Sequence, residues 1–157
     1  MFYNGQKIET KRLIGVCKKE NNSDPKITFK NHMNEEVCYI SIIEKRKCIE
    51  LIIHTAEKFR NKGYMSEALN EFFITAFKNS PKLLINNYIS KSNDSSMHLH
   101  KKFGFKESNN NFWSLNKMQF KKNNESEKRI LKEEYFFLSE VQENINFEKN
   151  FLQSFNL

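Results

Sequence analysis

The hydrophobic positions change their period once along this chain. From Ile8 to His54 they come in short runs. Ile8 to Val16 mixes apolar and charged residues as a first strand would, and Lys26 to Lys30 sets Ile27 and Phe29 on one face. Val37 to Ile43 and Cys48 to Ile53 are apolar, β-rich runs either side of the charged "EKRK", which predicts an antiparallel pair with a polar loop. Everything up to His54 therefore predicts a β-meander. After Gly63 the spacing becomes helical: Met65, Leu69, Phe72, Phe73, Ala76 and Phe77 share one stripe, and Ser80-Pro81 ends it. Leu83 to Ile89 is strand-like. Asn93 or Ser92 can cap a short helix with Ser96, Leu99 and Phe103 on one side, stopped by Gly104. Phe105 to Phe120 predicts two strands around an Asn-rich turn. From Glu125 the pattern is helical again, with Ile130, Phe137, Leu138, Val141 and Ile145 along one side and an aromatic ending of Phe147, Phe151, Leu152, Phe155 and Leu157.

A chain of 157 residues with this order is one α/β (α+β) domain with a single core. No apolar stretch is long enough for a transmembrane helix, and the start lacks the apolar core of a secretion signal. Cys17, Cys38 and Cys48 are an odd number without a C-x-x-C pair, so free thiols in a reducing, cytoplasmic setting are expected, and no metal site. The net charge of +7 favours anionic partners, but the cations are scattered. They form no basic arm, and aromatics interleaved with Lys and Arg on one strand face are not visible. Nucleic acid is therefore a disfavoured partner.

The chain has only four glycines, and one stands behind Arg60, Asn61 and Lys62 where a strand hands over to a helix. A helix N-terminus leaves backbone N–H groups unpaired and carries positive dipole charge, so a curled loop in front of it can seat an anion. Glycine lets a phosphate approach the backbone, and Arg60 and Lys62 add charge at the rim. A plain connection with one permissive residue explains the same letters. What favours the phosphate turn is the next motif, "NDSSMHLHKKFGF", placed after the following strand.

Together these stretches resemble the GNAT superfamily of acyl-CoA-dependent N-acyltransferases. Its signature R/Q-x-x-G-x-G/A is matched by Arg60-Asn61-Lys62-Gly63-Tyr64-Met65, and its N-x-x-[SA]-x-x-L-Y-x-K-x-G-F by Asn93, Ser96, Leu99, Lys102, Gly104 and Phe105. "IELIIHTAEKFRNKGYMSEAL" and "IETKRLI" are similar to runs of the ribosomal-protein N-terminal acetyltransferase branch. The resemblance covers about Ile8 to Phe120. It implies a mixed, mostly antiparallel sheet with a splayed central strand pair, flanking helices and a C-terminal helix. The expected domains are an acyl-CoA-binding domain over 1–122 and a helical extension over 123–157 packed on it. It further implies acetyl-CoA as co-substrate, with its pyrophosphate on the N–H groups of Asn61 to Met65, and with Asn93 and Ser96 holding the pantetheine end or the short helix. Met65 stands where the family prefers Gly or Ala, His100 replaces a tyrosine that often protonates the leaving thiolate, and the two helices that usually follow the first strand are missing or reduced.

Acyl transfer to an amine needs a base, a polarised carbonyl and a stabilised thiolate. The resemblance places Glu50 as base, with His54 four residues on as substitute if the strand is regular. A strand glutamate paired with a lysine, and a polar strand-end histidine, are the plain alternatives. His100 is the expected acid by position, against a surface helix histidine beside Lys101 and Lys102. The expected function is acetyl transfer from acetyl-CoA to a primary amine, a peptide N-terminus or lysine being preferred. The alternative is a degenerate relative that binds CoA or a protein without catalysis. No membrane partner is expected, and a homodimer is compatible with the apolar tail.

Overall fold

Where one strand was expected between Ile8 and Val16 there are two. Thr10 turns the chain: its hydroxyl accepts from the Leu13 N–H (2.9 Å) and its own N–H donates to the Leu13 carbonyl (2.9 Å). The turn separates β1 (Lys7–Glu9) from β2 (Ile14–Lys18), which pair antiparallel. A threonine that bonds its own backbone competes with a continuous strand, and here it wins. The meander continues through β3 (Lys26–Lys30), β4 (Glu36–Glu44) and β5 (Ile49–Thr55), each antiparallel to the last. Residues 19–25, between β2 and β3, form turns and no helix. The structure is a computed structural model that describes residues 2–125 and, beyond them, 128, 138, 139, 141–143 and 146.

The polypeptide then crosses over through α1 (Tyr64–Asn79) to β6 (Leu84–Tyr88), parallel to β5. After α2 (Asp94–Lys102) come β7 (Lys106–Glu107) and β8 (Phe112–Asn116), joined through a turn over Asn109–Asn111. The eight strands lie in the order β1-β2-β3-β4-β5-β6-β8-β7. The mixed, mostly antiparallel sheet with one parallel pair at its centre is the expected fold class. Past Asn116 a helix begins at 117, so the second strand of that hairpin ends earlier than the Phe120 the pattern suggested. Asn116 and Gln119 exchange side-chain-to-backbone hydrogen bonds (2.8 and 2.9 Å), which caps the helix and ends the strand.

Period-two burial runs through β2, β3, β6 and β8, and it puts Ile27, Phe29, Ile85, Trp113 and Leu115 on the face covered by the helices. α1 adds Ala68, Leu69, Phe72, Phe73, Ala76 and Phe77, the predicted stripe with Ala68 in place of Met65. Phe73 is the hub. Its ring lies 5.2–6.3 Å from those of Phe72, Phe77, Phe103, Phe105 and Phe120, so one helical side chain ties both helices and the strand ends together. The opposite face of the sheet is more open, with Ile14, Ile52, Leu84, Tyr88 and Phe112 exposed. The register slips once, between Phe29 and Lys30, where a bulge turns both Val37 and Cys38 of β4 inward. Burial, helped by the charge of Glu67, pushes the Cys38 thiol up to about 12, so it is a packing group. The three cysteines are unpaired.

Among the described residues, five non-glycine positions take the left-handed region, all asparagines: Asn22, Asn34, Asn61, Asn110 and Asn111. The chain forms two compact units, Met1–Phe120 and Lys121–Leu157. In the second, the described positions are helical and Leu138 and Val141 are exposed; Ile130, Phe137, Ile145 and the aromatic ending from Phe147 lie outside the described residues. Among the described residues no helix is long and apolar enough to cross a membrane.

Gly15 of β2 is paired with Phe29 of β3, and a Cβ added there would stand 2.5 Å from the Phe29 ring, which is fully buried. Gly15→Ala should therefore lower stability by about 1–3 kcal/mol through overpacking, read as a shift of the urea midpoint with an unchanged slope.

Candidate functional site

β5 and β6 share a single register pair, Ile49 with Ile85, and then part. Beyond that pair the Leu51 N–H donates to the side-chain oxygen of Asn87 (2.8 Å), and the Thr55 carbonyl accepts from Arg60 Nε (3.2 Å). Ile53 lies between them on the same strand parity, so its N–H and C=O face the gap with no strand opposite. The gap opens into a cleft of about 900 Å³ at the C-terminal ends of the two strands. One wall is Ile53, His54 and Thr55; the second is the turn Phe59 to Ser66; the third is α2 with Asn93, Ser95, Ser96, His98, Leu99 and Lys102.

The turn supplies donors. Asn61 and Gly63 both take positive φ, 59° and 77°, which curls the backbone ahead of α1. The α1 ladder starts with the Glu67 N–H on the Gly63 carbonyl (3.1 Å). The six N–H groups before it, Asn61 to Ser66, have no acceptor among the described residues. A run of unpaired donors in a curled turn at a helix N-terminus is suited to an anion. Within the protein itself the glycine is not needed for clearance. A Cβ on it would point at Arg12, 3.6 Å from Nη2, an ordinary contact. What demands glycine is the left-handed backbone, which costs an L-residue roughly 1–2 kcal/mol.

Arg12 is a residue the motif reading overlooked. From the β1–β2 turn its Nε pairs with Glu67 Oε2 (2.6 Å), its Nη1 donates to the Lys62 carbonyl (3.1 Å) and its guanidinium lies over the Tyr64 ring (4.1 Å). Glu67 in the first turn of α1 also accepts from the Thr10 hydroxyl (2.6 Å) and the Arg12 N–H (2.8 Å). Burial raises the Glu67 carboxyl, but the bonds from Thr10 and Arg12 outweigh it and hold the pKa below its ordinary 4.5. The turn ahead of α1 is thus braced from behind by a hairpin some fifty residues earlier. Both partners were in view, in "IETKRLI" and "SEAL", but nothing in the string says that they touch.

The other expected site residues divide. Arg60, Asn61, Gly63, Tyr64, Met65, Asn93, Ser96 and His54 line the cleft. Lys62 is exposed and is not among the lining residues; its carbonyl serves the Arg12 brace. Met65 is half-buried, packing on the core as well as lining the cleft. Asn93 caps α2, accepting the Ser96 N–H (3.0 Å). β5 keeps an unbroken register with β4, so Glu50, Ile52 and His54 do share the open face. Glu50 lies away from the cleft and is paired with Lys45 (2.6 Å), whereas His54 reaches the cleft and stacks on Tyr39 (5.2 Å).

His100 is buried, on the core side of α2. Its Nδ1 is 2.7 Å from the Ser96 carbonyl, which can only accept, so Nδ1 carries the proton. Nε2 then accepts from the Asn87 side-chain amide (2.9 Å). Burial pushes its pKa down, with the Ser96 bond opposing in part. A neutral imidazole in this tautomer has no proton to give on Nε2. Asn87, which the sequence left as one polar letter in a strand, is the group it serves.

Solved structures share the fold. The chain matches an acetyltransferase of the GNAT family from Bacillus anthracis with a TM-score of 0.55 and 17% identity, over 69% of this chain and 94% of that one. An acetyltransferase from Agrobacterium tumefaciens gives 0.58 and 14%, over 73% and 95%. The fold is that of the GNAT acetyltransferases. A spermidine/spermine N-acetyltransferase from Vibrio cholerae gives 0.55 and 16%, over 64% and 71%. The share of the neighbours' own length that the chain spans runs from 64% to 96%. No protein-family model matches the chain, and no curated protein matches it significantly. At these identities the likeness to GNAT structures is one of fold.

The brace gives a test that needs no ligand. Glu67→Gln should cost about 1–3 kcal/mol, the range for charge-assisted hydrogen bonds on a half-buried group. Because the folded pKa is depressed, the stability that Glu67 contributes is present above 4.5 and lost as the pH falls through the lowered value. Urea titrations across that acid window should show a flatter dependence for the variant.

Proposed function

We propose that this chain is an N-acetyltransferase that takes acetyl-CoA as donor and a primary amine as acceptor. The observation that carries the reading is the run of six unpaired N–H groups, Asn61 to Ser66, at the mouth of two diverging strands. The groups fit the donor: a pyrophosphate on the curled turn, charge from Arg60 beside it, and an amide-bearing arm along the free edge at Ile53, with Asn93 and Ser96 fixing the opposite wall. The scattered positive charge of the chain suits so anionic a ligand.

The acceptor amine must be neutral to attack the thioester carbonyl. His54 is the base we assign, since it sits on the open face of β5 and reaches the cleft, while Glu50 is held by Lys45. The departing group is a thiolate, whose conjugate acid has an ordinary pKa of about 8.5, so solvent, or the proton that His54 takes from the attacking amine, can reprotonate it. A dedicated acid is not required, and His100 is left to a positioning role. For the acceptor, a peptide N-terminus or a lysine is preferred on the likeness of Ile49 to Leu69 to the ribosomal-protein branch. A polyamine is the competing acceptor, because one structural neighbour is a spermidine/spermine acetyltransferase. The engagement of both Glu50 and His100 by other side chains favours one further reading, a CoA-binding module without turnover.

Calorimetric titration should give micromolar acetyl-CoA binding to the wild type, weakened about tenfold in Gly63→Ala by the left-handed strain on the turn. No binding to the folded wild type would remove the reading. If binding is found, His54→Ala should reduce kcat by roughly 10²–10⁴ without changing acetyl-CoA affinity, and Glu50→Gln by less than about threefold. Binding with no acetylation of peptide, lysine or spermidine amines would favour the non-catalytic module.

A further inference from the structure

Leu51 is buried at the point where the central strands separate, and its N–H has lost the carbonyl that a continuing β6 would have offered. The Asn87 side chain takes that place. The order of donors is forced at both ends. The Leu51 N–H can only donate, so Asn87 presents Oδ1 to it and Nδ2 to His100. The Ser96 carbonyl can only accept, so His100 donates from Nδ1 and accepts at Nε2. The result is a one-way chain from β5 through β6 to α2.

We propose that Asn87 and His100 are positioning residues whose relay fixes where β5 and β6 part, and that a second proton on His100 reverses it. With Nε2 protonated, two donors face each other between His100 and Asn87. Flipping the amide relieves that clash but turns Nδ2 toward the Leu51 N–H, so the clash moves to the strand edge. The flip also gives the charged Nε2–H an acceptor in Oδ1, so it is the favoured arrangement in acid, and Leu51 then loses its acceptor. The groups around the ring do not titrate: Leu51 and Ile53 from β5, Leu69 and Phe73 from α1, and Phe103 and Phe105 behind α2. The Phe105 ring meets the imidazole edge-on at 4.6 Å. Because burial lowers the folded pKa below the ordinary 6.5, stability should fall as the pH drops below 6.5 and level off once the folded histidine is protonated.

The experiment uses ¹⁵N-labelled full-length protein without ligand, from about pH 8 to pH 5, spanning histidine titration. The expected result is a His100 ring with Nδ1 protonated and Nε2 bare at the upper end. As the ring titrates, exchange of the Leu51 amide should lose about tenfold of its protection, the worth of one hydrogen bond, while Ile40 and Ile42 in β4 keep theirs. A proton on Nε2 at the upper end, or Leu51 protection indifferent to the titration, would overturn the proposal. Asn87→Asp adds a readout that loss of packing would not give. A carboxylate accepts from both neighbours, so His100 should titrate above its ordinary range, and acid should no longer expose Leu51. If that variant does not fold, the wild-type exchange data still decide.

The link to the cleft rests on the acetyl-CoA reading and is measured separately. Affinity for acetyl-CoA should fall about tenfold over the same titration, matching the loss at Leu51. A wild type that never binds acetyl-CoA would count against that reading and leave the relay to the exchange data. Binding that ignores the titration while Leu51 responds would overturn the positioning role.

Discussion

A buried backbone N–H must find an acceptor, and at Leu51 the sheet has none to offer. Most of what is distinctive here follows from how that group is satisfied. If β6 had continued alongside β5, its carbonyls would have closed the ladder and there would be no cleft. If nothing had replaced them, an orphaned donor would sit in the core at a cost of about 1–3 kcal/mol. An asparagine provides the acceptor without the strand. The gap can then open two residues further on, at Ile53, where solvent or a ligand can reach the strand edge.

A second constraint works on the opposite wall. Six unpaired donors in one short turn are ill-suited to an apolar environment, so the turn needs a support that does not compete for those donors. Arg12 supplies it from outside the cleft, through a carbonyl, a carboxylate and an aromatic face. Both supports are polar, and both come from elements distant in sequence from what they support. The aromatic cluster about Phe73 holds the two helices at fixed separation, so the walls do not move independently.

How much of this was legible depended on whether the relevant physics is local. The meander, the α1 stripe and the Asn93 cap were readable because period and capping act over a few residues. The cleft turn was readable because glycine is scarce and its neighbours are charged. The Ile8 to Val16 strand was misread because one hydroxyl on Thr10 outweighed the alternation around it. The end of the last hairpin was misread because Asn116 and Gln119 cap a helix that the apolar pattern hides. His100 was assigned by its motif position, while its tautomer is dictated by Ser96 and by Asn87, a residue of another element. Arg12 and Glu67 lie fifty-five positions apart, and only the fold joins them.

The asparagine-rich composition takes on a meaning in the denatured ensemble. A left-handed turn built on glycine begins from a backbone with the widest freedom to lose. Here five such positions are asparagines, whose side chains narrow that freedom before folding starts. The gain in ordering entropy is set against the strain of the left-handed region, which asparagine tolerates better than other L-residues because its short polar side chain can bond locally. The turns that carry these asparagines, Asn22 and Asn34 within the meander among them, therefore have less backbone freedom to lose on folding than glycine turns would.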